Sequence, residues 1–415
     1  MKNSMKIIAL ASSLLLAGCS TMAETRPAAT AISPPPNMTL GDSYLSDFYS
    51  YEVALAAPGA LLKKEPLNAQ QSNPGAAKNI RLLYSSTDGL DSEAVLPVSG
   101  VLFLPEGTAP AGGWPLMAWT HGTVGIADIC APSWNGRQQQ DRDHLEFWLK
   151  NGYAVVASDY QGLGTAGTHP YLATRPEAYS NLDIIRAVQS SGFPVSNKVV
   201  LFGQSQGAGA AIATAAYAAD YAPDVNIVGA VATGVPFFSP EALIALQESR
   251  PRDRVDPMLG YNLLALSLVQ RTNRDFKLAD YVSDKVMPIA QSVQNTCHKD
   301  VKARVVAEKL THNRVFKQAP DEHLFTAFSK MGYPKLKLPV PTFVGTGAKD
   351  KDTPPRMQAA FVKQACKAGS VIVSTLYPTL DHRAVVPGST GDTLPFVKAA
   401  FAGDDIESNC GNLPF

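Results

Sequence analysis

One serine in the sequence has the surroundings that a serine nucleophile requires. Ser205 lies at the centre of the stretch Gly-Gln-Ser-Gln-Gly at positions 203–207. The apolar run Val199 to Phe202 predicts a strand before it, and the small residues Ala208 to Ala216 predict a helix after it. A serine on such a sharp turn has a strained backbone, and Gly203 and Gly207 let strand and helix approach without a collision between Cβ atoms. The pattern predicts an exposed nucleophile at Ser205 on a nucleophile elbow.

A serine hydroxyl needs a histidine to take its proton and a carboxylate to orient that histidine. His382 lies in a loop just beyond the last predicted strand, which favours it as the base. Asp350 and Asp352 both follow the apolar run Thr342 to Val344, and we predict Asp350 as the acid because it precedes Pro354 by four residues. The resulting chain order is Ser, Asp, His. Four other histidines are predicted to be surface or packing residues: His144, His298, His312 and His323.

Acyl transfer also needs two backbone N–H groups directed at the developing oxyanion. The residue after the nucleophile, Gln206, is predicted to supply one of them. The second is predicted at Thr123, because it follows the strand Leu116 to Thr120 and Gly122 gives that loop its conformational freedom. His121 is predicted to be structural.

A glycine-rich stretch at positions 162–167 resembles a dinucleotide-binding fingerprint, since it has the form Gly-x-Gly-x-x-Gly after the predicted strand Tyr153 to Ser158. Pro170 follows almost at once and would interrupt the helix whose N-terminus must hold the pyrophosphate. The sequence also contains no His-Glu-x-x-His, Cys-x-x-Cys or Walker motif. We therefore predict no metal and no cofactor.

Strands and helices alternate along the chain, which predicts a mostly parallel α/β sheet of eight strands flanked by helices. The predicted strands are Ile80 to Tyr84, Val98 to Leu104, Leu116 to Thr120, Tyr153 to Ser158, Val199 to Phe202, Ile227 to Ala232, Thr342 to Val344 and Val371 to Leu376. The predicted helices are Asp143 to Lys150, Glu177 to Gln189, Gln206 to Ala219, Pro355 to Lys367 and Thr393 to Phe401.

Residues 237–334 interrupt this alternation with helical patterns, and an interval of this length predicts a cap inserted between the sixth and seventh strands. Its predicted helices are Glu241 to Gln247, Leu259 to Gln270, Val301 to Leu310 and Asp321 to Met331. Six of its apolar side chains could line an acyl pocket or simply form core: Leu259, Leu263, Leu264, Leu266, Leu268 and Val269.

The N-terminus has the features of an export signal. Lys2 and Lys6 precede the apolar run Ile7 to Leu16, which is too short to span a membrane. Residues 16–19, Leu-Ala-Gly-Cys, resemble a bacterial lipobox, so we predict a signal peptide at 1–18, lipidation of Cys19 and a tether at 19–40. Ser20 after the cysteine favours the outer membrane, and the alternative is a periplasmic or secreted protein with an ordinary signal peptide. The catalytic domain is predicted at 41–415.

The charge balance argues against nucleic acid as a partner, and the composition is that of a globular protein. Lys plus Arg and Asp plus Glu both total 36, so the net charge of zero provides no long-range attraction for nucleic acid. Apolar residues make up 45% of the chain, which is enough for a large core. We expect a monomer with a small-molecule or lipid ester substrate, bound to a membrane only through its N-terminal lipid.

Four cysteines follow Cys19, and in an exported protein an even number predicts two disulfides. They are Cys130, Cys297, Cys366 and Cys410. Of the three connectivities we favour Cys366 with Cys410, because this bridge would hold the C-terminal tail, and therefore Cys130 with Cys297. The alternative is four buried free thiols.

Two stretches taken together resemble the secretory lipase family of fungi and bacteria. They are residues 159–164, Asp-Tyr-Gln-Gly-Leu-Gly, with the downstream His169-Pro170-Tyr171-Leu172, and the stretch around Ser205. The resemblance spans Tyr51 to Phe401 and implies an α/β-hydrolase fold, hydrolysis of carboxylic esters through Ser205, Asp350 and His382, and the disulfide pairing favoured above. Two other functions fit the same residues: a peptidase or amidase on this fold, and a surface lipoprotein that only binds a ligand.

Overall fold

The computed structural model of the chain describes residues 45–55, 57–90, 92–239, 242, 250, 252–318 and 322–415. The predicted signal peptide, the lipidated cysteine and the tether lie outside the described residues, as does the predicted helix Glu241 to Gln247 except for Ala242. No helix in the described ranges is both long and apolar enough to cross a membrane.

A twisted sheet of nine strands forms the centre of the molecule, in the order β1-β2-β3-β5-β4-β6-β7-β8-β9. The first four strands in this order pair antiparallel, and the pairs from β5 to β9 are parallel. The strands are β1 (Leu61–Pro66), β2 (Lys78–Thr87), β3 (Val95–Leu104), β4 (Trp114–Thr120), β5 (Ala154–Ser158), β6 (Val195–Gln204), β7 (Asn226–Thr233), β8 (Thr342–Gly347) and β9 (Ile372–Tyr377).

The predicted fold is confirmed, but the count of eight strands is wrong. The sequence of β1, Leu-Leu-Lys-Lys-Glu-Pro, lacks the apolar alternation of a half-buried strand, and most of its residues are partly exposed. It lies at the edge of the sheet, where lysines protect unpaired backbone groups from pairing with another chain. The cap segment therefore lies between the seventh and eighth strands rather than the sixth and seventh.

Helices cover both faces of the sheet, which explains why the central strands read as continuous apolar runs. All five residues of β5, for example, are buried. Helices outside the cap segment are α1 (Pro132–Asn135), α2 (Gln139–Lys150), α3 (Thr174–Ser190), α4 (Gln206–Tyr221), α11 (Pro355–Lys367), α12 (Val385–Gly388) and α13 (Thr390–Ala402). One apolar cluster packs α3 and α4 on the sheet, and a second packs α2 and α13 on the opposite face.

Residues 237–334, which we call the cap, contain six described helices between β7 and β8: α5 (Leu259–Thr272), α6 (Leu278–Tyr281), α7 (Met287–Ser292), α8 (His298–Ala307), α9 (His312–Val315) and α10 (Glu322–Ser329). Their apolar side chains form a cluster of their own, which also takes in a few residues of the body such as Tyr171. We call the remainder of the described chain the body.

Both predicted disulfides are confirmed. Cys130 and Cys297 are bridged, with Cα atoms 5.5 Å apart, and this bond joins the body to the start of α8 in the cap. Cys366 and Cys410 are bridged with Cα atoms 5.6 Å apart, which fastens the C-terminal tail to the end of α11.

Candidate active site

Ser205 occupies the sharp turn between β6 and α4. Its backbone dihedrals, φ 59° and ψ −124°, are in a region that non-glycine residues rarely adopt. A Cβ atom on Gly203 would lie 2.0 Å from the carbonyl oxygen of Gly207, and one on Gly207 would lie 1.9 Å from the carbonyl oxygen of Thr120. No side chain fits at either position, so the two glycines are what allow this turn to form.

An Asp–His pair lies in the loops after β8 and β9. His382 Nδ1 is 2.8 Å from Asp350 Oδ2, and both side chains are buried. A ring N–H that donates to the carboxylate from Nδ1 leaves the lone pair on Nε2, the state that a general base requires.

Several further donors orient the Asp350 carboxylate. Oδ1 accepts hydrogen bonds from the backbone N–H groups of Asp352 and Thr353, both at 2.9 Å. Oδ2 accepts one from the Thr353 hydroxyl at 2.9 Å and one from the Gln358 amide at 3.1 Å. The carboxylate is thus held in one orientation against His382. No pattern in the sequence predicted these roles. Thr353 is one of several polar residues in the loop after β8, and Gln358 lies within the amphipathic helix α11.

The alternative acid, Asp352, points elsewhere. Its Oδ2 accepts a hydrogen bond from the Tyr261 hydroxyl at 3.0 Å and lies 3.7 Å from the Lys302 ammonium group. Both partners belong to the cap. Asp352 therefore joins the loop after β8 to the cap, whereas Asp350 contacts His382.

A hydrogen bond and the space left by a glycine place His382 next to the nucleophile elbow. Gln204, the residue before Ser205, donates from its side-chain amide to the carbonyl oxygen of His382 at 3.0 Å. The Ser205 N–H donates to the carbonyl oxygen of Thr233 at 2.9 Å. At Gly234, the next residue, an added Cβ would lie 2.9 Å from His382 Cε1, so the absence of a side chain there makes room for the imidazole.

The predicted oxyanion residues flank the serine from two sides. Gln206 is the first residue of α4 and follows Ser205 directly. Gly122 passes so close to Ser205 that an added Cβ would lie 3.6 Å from the serine Cβ, and Thr123 follows it. Backbone N–H groups at the start of a helix point away from its body and are free to bind an anion.

Four of the remaining histidines have other surroundings. His121 is buried beneath the elbow, stacks on Tyr160 at a ring separation of 4.2 Å, and lies against backbone carbonyl groups. His144 accepts a hydrogen bond from the Trp148 indole at 3.1 Å, and burial lowers its pKa to about 3. His298 packs on Tyr261 at 4.2 Å. His312 differs from these three because it lines the pocket described next.

A cavity of about 190 Å³ opens beside Ser205 and runs between the body and the cap. Ser205, Thr123 and Gln206 line it on the body side. Its other walls are mostly apolar and include Tyr171, Leu172, Phe238, Met258, Leu266, Phe316, Phe328, Met331 and Met357. Of the six cap side chains that the sequence assigned to either an acyl pocket or the core, all belong to the cap core and Leu266 also lines the cavity.

Among the residues that the structure describes, no group of three or more His, Cys, Asp or Glu side chains is arranged to hold a metal ion.

Comparison with known proteins assigns the chain to a protein family. Residues 136–409 match the family model for secretory lipases. The chain belongs to the secretory lipase family. Lipase A of Moesziomyces aphidis is 24% identical over 404 residues, covering 90% of this chain and 83% of that protein.

Solved structures of other proteins share the fold of this chain. Candida antarctica lipase A superposes with a TM-score of 0.72 at 22% identity, covering 89% of this chain and 88% of that one. The rice cell wall degrading esterase LipA from Xanthomonas oryzae superposes with a TM-score of 0.67 at 19% identity, covering 84% and 99%. These superpositions show an α/β-hydrolase fold. Membership of the secretory lipase family makes the protein a carboxylic ester hydrolase.

Proposed function

We propose that the protein cleaves carboxylic esters through an acyl-enzyme intermediate, with Ser205 as nucleophile, His382 as base and Asp350 as the acid that orients it. The observation that carries the proposal is the 2.8 Å contact between His382 Nδ1 and Asp350, held beside the elbow by the bond from Gln204 to the His382 carbonyl. Such a triad is defined by the roles and geometry of its members.

In the first half of the reaction, Ser205 Oγ attacks the ester carbonyl carbon while His382 Nε2 takes the hydroxyl proton. The N–H groups of Gln206 and Thr123 stabilise the resulting oxyanion. The carbonyl then re-forms, the bond to the alkoxy group breaks, and His382 gives its proton to the departing alcohol. A water molecule then attacks the acyl-enzyme, His382 takes its proton, and the proton returns to Ser205 as the carboxylic acid leaves.

The cavity supports a lipid ester as the substrate. Apolar side chains dominate its walls, so an acyl or alkyl chain gains about 25 cal/mol for each Å² that it removes from water there. Since pockets for drug-sized ligands span ~300–1,000 Å³, a cavity of about 190 Å³ suits a single chain rather than the whole of a triacylglycerol.

Export of the protein fits both the two disulfides and the match to a secretory family. We propose that the signal peptide is removed and that Cys19 carries the lipid, with residues 19–40 as the tether to the outer membrane. Metabolic labelling with a radioactive fatty acid tests the anchor: the wild type should be labelled and Cys19→Ala should not. An unlabelled mature wild-type protein would contradict the anchor and favour a periplasmic or secreted enzyme.

Hydrolysis of p-nitrophenyl esters from acetate to palmitate tests the activity, with the wild type measured beside Ser205→Ala. The wild type alone should turn over, and its dependence on chain length distinguishes an esterase from a lipase. Peptide anilides belong in the same panel. A folded wild type that cleaves anilides but no ester would favour the peptidase, and one that cleaves neither would favour the binding function.

A further inference from the structure

The loop between β5 and α3 contains the stretch His-Pro-Tyr-Leu at 169–172, to which the proposed reaction assigns no role. It contacts the side chain of Gln206, whose backbone N–H is one proposed oxyanion donor. The Gln206 amide nitrogen is 2.7 Å from Glu177 Oε1 and 3.0 Å from His169 Nε2. Each of these three residues is at most 2% exposed to solvent. Both amide hydrogens of Gln206 are therefore used, and its side chain has one orientation.

The hydrogen bonds of His169 determine which of its nitrogen atoms faces Gln206. Nδ1 lies 2.9 Å from the carbonyl oxygen of Gln161, which can only accept, so Nδ1 carries the proton. Nε2 then has a lone pair for the Gln206 amide. Burial lowers the pKa of His169 to about 3, so this neutral form persists across the working pH range.

The same stretch reaches the other proposed donor, Thr123. The hydroxyl groups of Tyr171 and Thr123 lie 2.7 Å apart, and Tyr171 is buried. From the start of the loop, Tyr160 donates its hydroxyl proton to the carbonyl oxygen of His121 at 3.0 Å, two residues before Thr123. The two donors come from different parts of the chain, yet side chains of one loop hold both.

The loop itself is tightly folded. A Cβ on Gly162 would lie 2.7 Å from both the carbonyl oxygen of Gly167 and the N–H nitrogen of His169, so the glycine lets the loop close on itself. Its far end is attached to the cap, because the Thr174 hydroxyl donates to the carbonyl oxygen of Gly332 at 2.7 Å.

We propose that the loop 159–173, together with Glu177, positions both donors of the oxyanion hole, with His169 and Glu177 holding Gln206 and Tyr171 holding Thr123. The proposal rests on the proposed function, since it presupposes that an oxyanion forms at Ser205. Donors fixed in advance stabilise the transition state without reorganisation, and a donor displaced by a fraction of an ångström loses much of that effect. His169, Tyr171 and Glu177 act through other residues and are positioning residues.

The test uses Tyr171→Phe, which removes one hydroxyl, and Glu177→Leu, which removes the acceptor for Gln206. Each rate is divided by the number of sites that a fluorophosphonate titrates, so that misfolded protein does not count. We expect each variant to lower kcat about 10-fold, less than the ~100-fold or more for loss of a whole donor, with KM changed less than about 2-fold. Binding of a trifluoromethyl ketone, which forms a tetrahedral oxyanion adduct with the serine, should weaken by the same factor as kcat.

Conservative and matched variants complete the test. Glu177→Gln keeps an acceptor for Gln206, and Thr123→Ser keeps the hydroxyl for Tyr171, so both should retain most of the wild-type kcat. Tyr221→Phe removes a hydroxyl at the C-terminal end of α4, 2.7 Å from Thr87 Oγ1 and remote from Gln206 at the start of that helix, and should leave kcat and ketone binding unchanged. If Glu177→Leu does not fold, Tyr171→Phe and Thr123→Ser still decide the outcome.

An unchanged kcat per titrated site in Tyr171→Phe would overturn the proposal, as would a lower kcat without weaker ketone binding. Failure of the proposed function is a separate result: the wild type itself would then not react with the fluorophosphonate at Ser205.

Discussion

The body and the cap present the substrate with two different kinds of surface. In the body, Ser205, Asp350 and His382 each follow a strand of the same sheet, and buried hydrogen bonds fix the two loop residues. In the cap, short helices pack around their own apolar cluster and supply walls of the cavity. On the proposed function, the body supplies the chemistry, and we propose that the cap selects which ester reaches Ser205.

Besides a shared apolar cluster, specific contacts join the two regions. One is the bridge from Cys130 to Cys297, next to which the His298 N–H donates to the carbonyl oxygen of Val124 at 2.8 Å. Another is the Tyr261 hydroxyl on Asp352. Changes to the proposed catalytic and positioning residues of the body should alter kcat for every ester, whereas changes in the cap should alter chain-length preference and stability.

The largest expected effect is that of Asp350→Asn. Without the carboxylate, His382 loses the partner that fixes its tautomer, and kcat should fall about 10³–10⁴-fold for all chain lengths. Asp352→Asn keeps an oxygen that can accept from Tyr261, so its kcat should change less than about 3-fold. Steady-state kinetics of the two variants checks this, and the reverse order would reassign the acid to Asp352.

The next largest effect is expected on stability, from loss of the disulfide bond between body and cap. The Cys130–Cys297 loop spans 167 residues and the Cys366–Cys410 loop spans 44. On the chain-entropy model each bridge contributes about 2–5 kcal/mol and the longer loop roughly 1 kcal/mol more. Thermal unfolding of the double variants Cys130→Ser/Cys297→Ser and Cys366→Ser/Cys410→Ser should show the larger fall in Tm for the first. A larger fall for the second pair would mean that the cap is held mainly by other contacts.

A larger side chain that projects from the cap into the cavity should change only the preference for acyl chain length. Ala265 on α5 lines the cavity, so Ala265→Leu should lower kcat/KM for p-nitrophenyl palmitate about 10-fold, or ~1.4 kcal/mol, and leave the acetate ester nearly unchanged. Ala303→Leu, on the exposed face of α8, is the matched control. Equal losses on both esters would show that the cap also shapes the chemistry.

The smallest expected effect concerns the pH dependence of stability. Burial raises the pKa of Glu177 from 4.5 to about 8, although the Gln206 amide and the Leu172 N–H oppose the shift. The folded protein therefore holds a proton that the unfolded chain releases above about pH 4.5, and the stability that this proton contributes is lost as pH rises from 4.5 to 8.

Glu177→Gln mimics the protonated acid and removes this dependence, so its Tm relative to the wild type should rise by a few degrees between pH 5 and pH 8.5. Three tyrosines interact electrostatically with Glu177: Tyr160, Tyr171 and Tyr333. His169 shares the Gln206 amide with Glu177, and the shifted pKa values of all four groups keep them neutral over that range. A difference in Tm that does not vary with pH would contradict the assignment.

The same contrast separates what the sequence could predict from what it could not. Ser205, Asp350 and His382 follow apolar runs, and strand ends of a parallel sheet meet at one edge, so local patterns were enough to group them. Gln204 carries no local signal, because its partner is the carbonyl group of His382, far away along the chain. Thr353 and Gln358 bond Asp350 from only a few residues away, but these contacts depend on how the loop after β8 folds, which no residue pattern predicts. Strand β1 was missed because an edge strand with lysines has no apolar alternation. For six apolar side chains of the cap the sequence left pocket and core both open, because helical periodicity predicts that a face is buried but not what it packs against. All six belong to the cap core, and Leu266 also lines the cavity.

The central claim is that Ser205 forms the acyl-enzyme. Its most direct test is to label the protein with a fluorophosphonate and locate the adduct by peptide mapping and mass spectrometry. The account predicts one adduct, on the peptide containing Ser205, with loss of ester hydrolysis in proportion to labelling and no labelling of folded Ser205→Ala. An adduct on another residue, or full hydrolysis by Ser205→Ala, would contradict it.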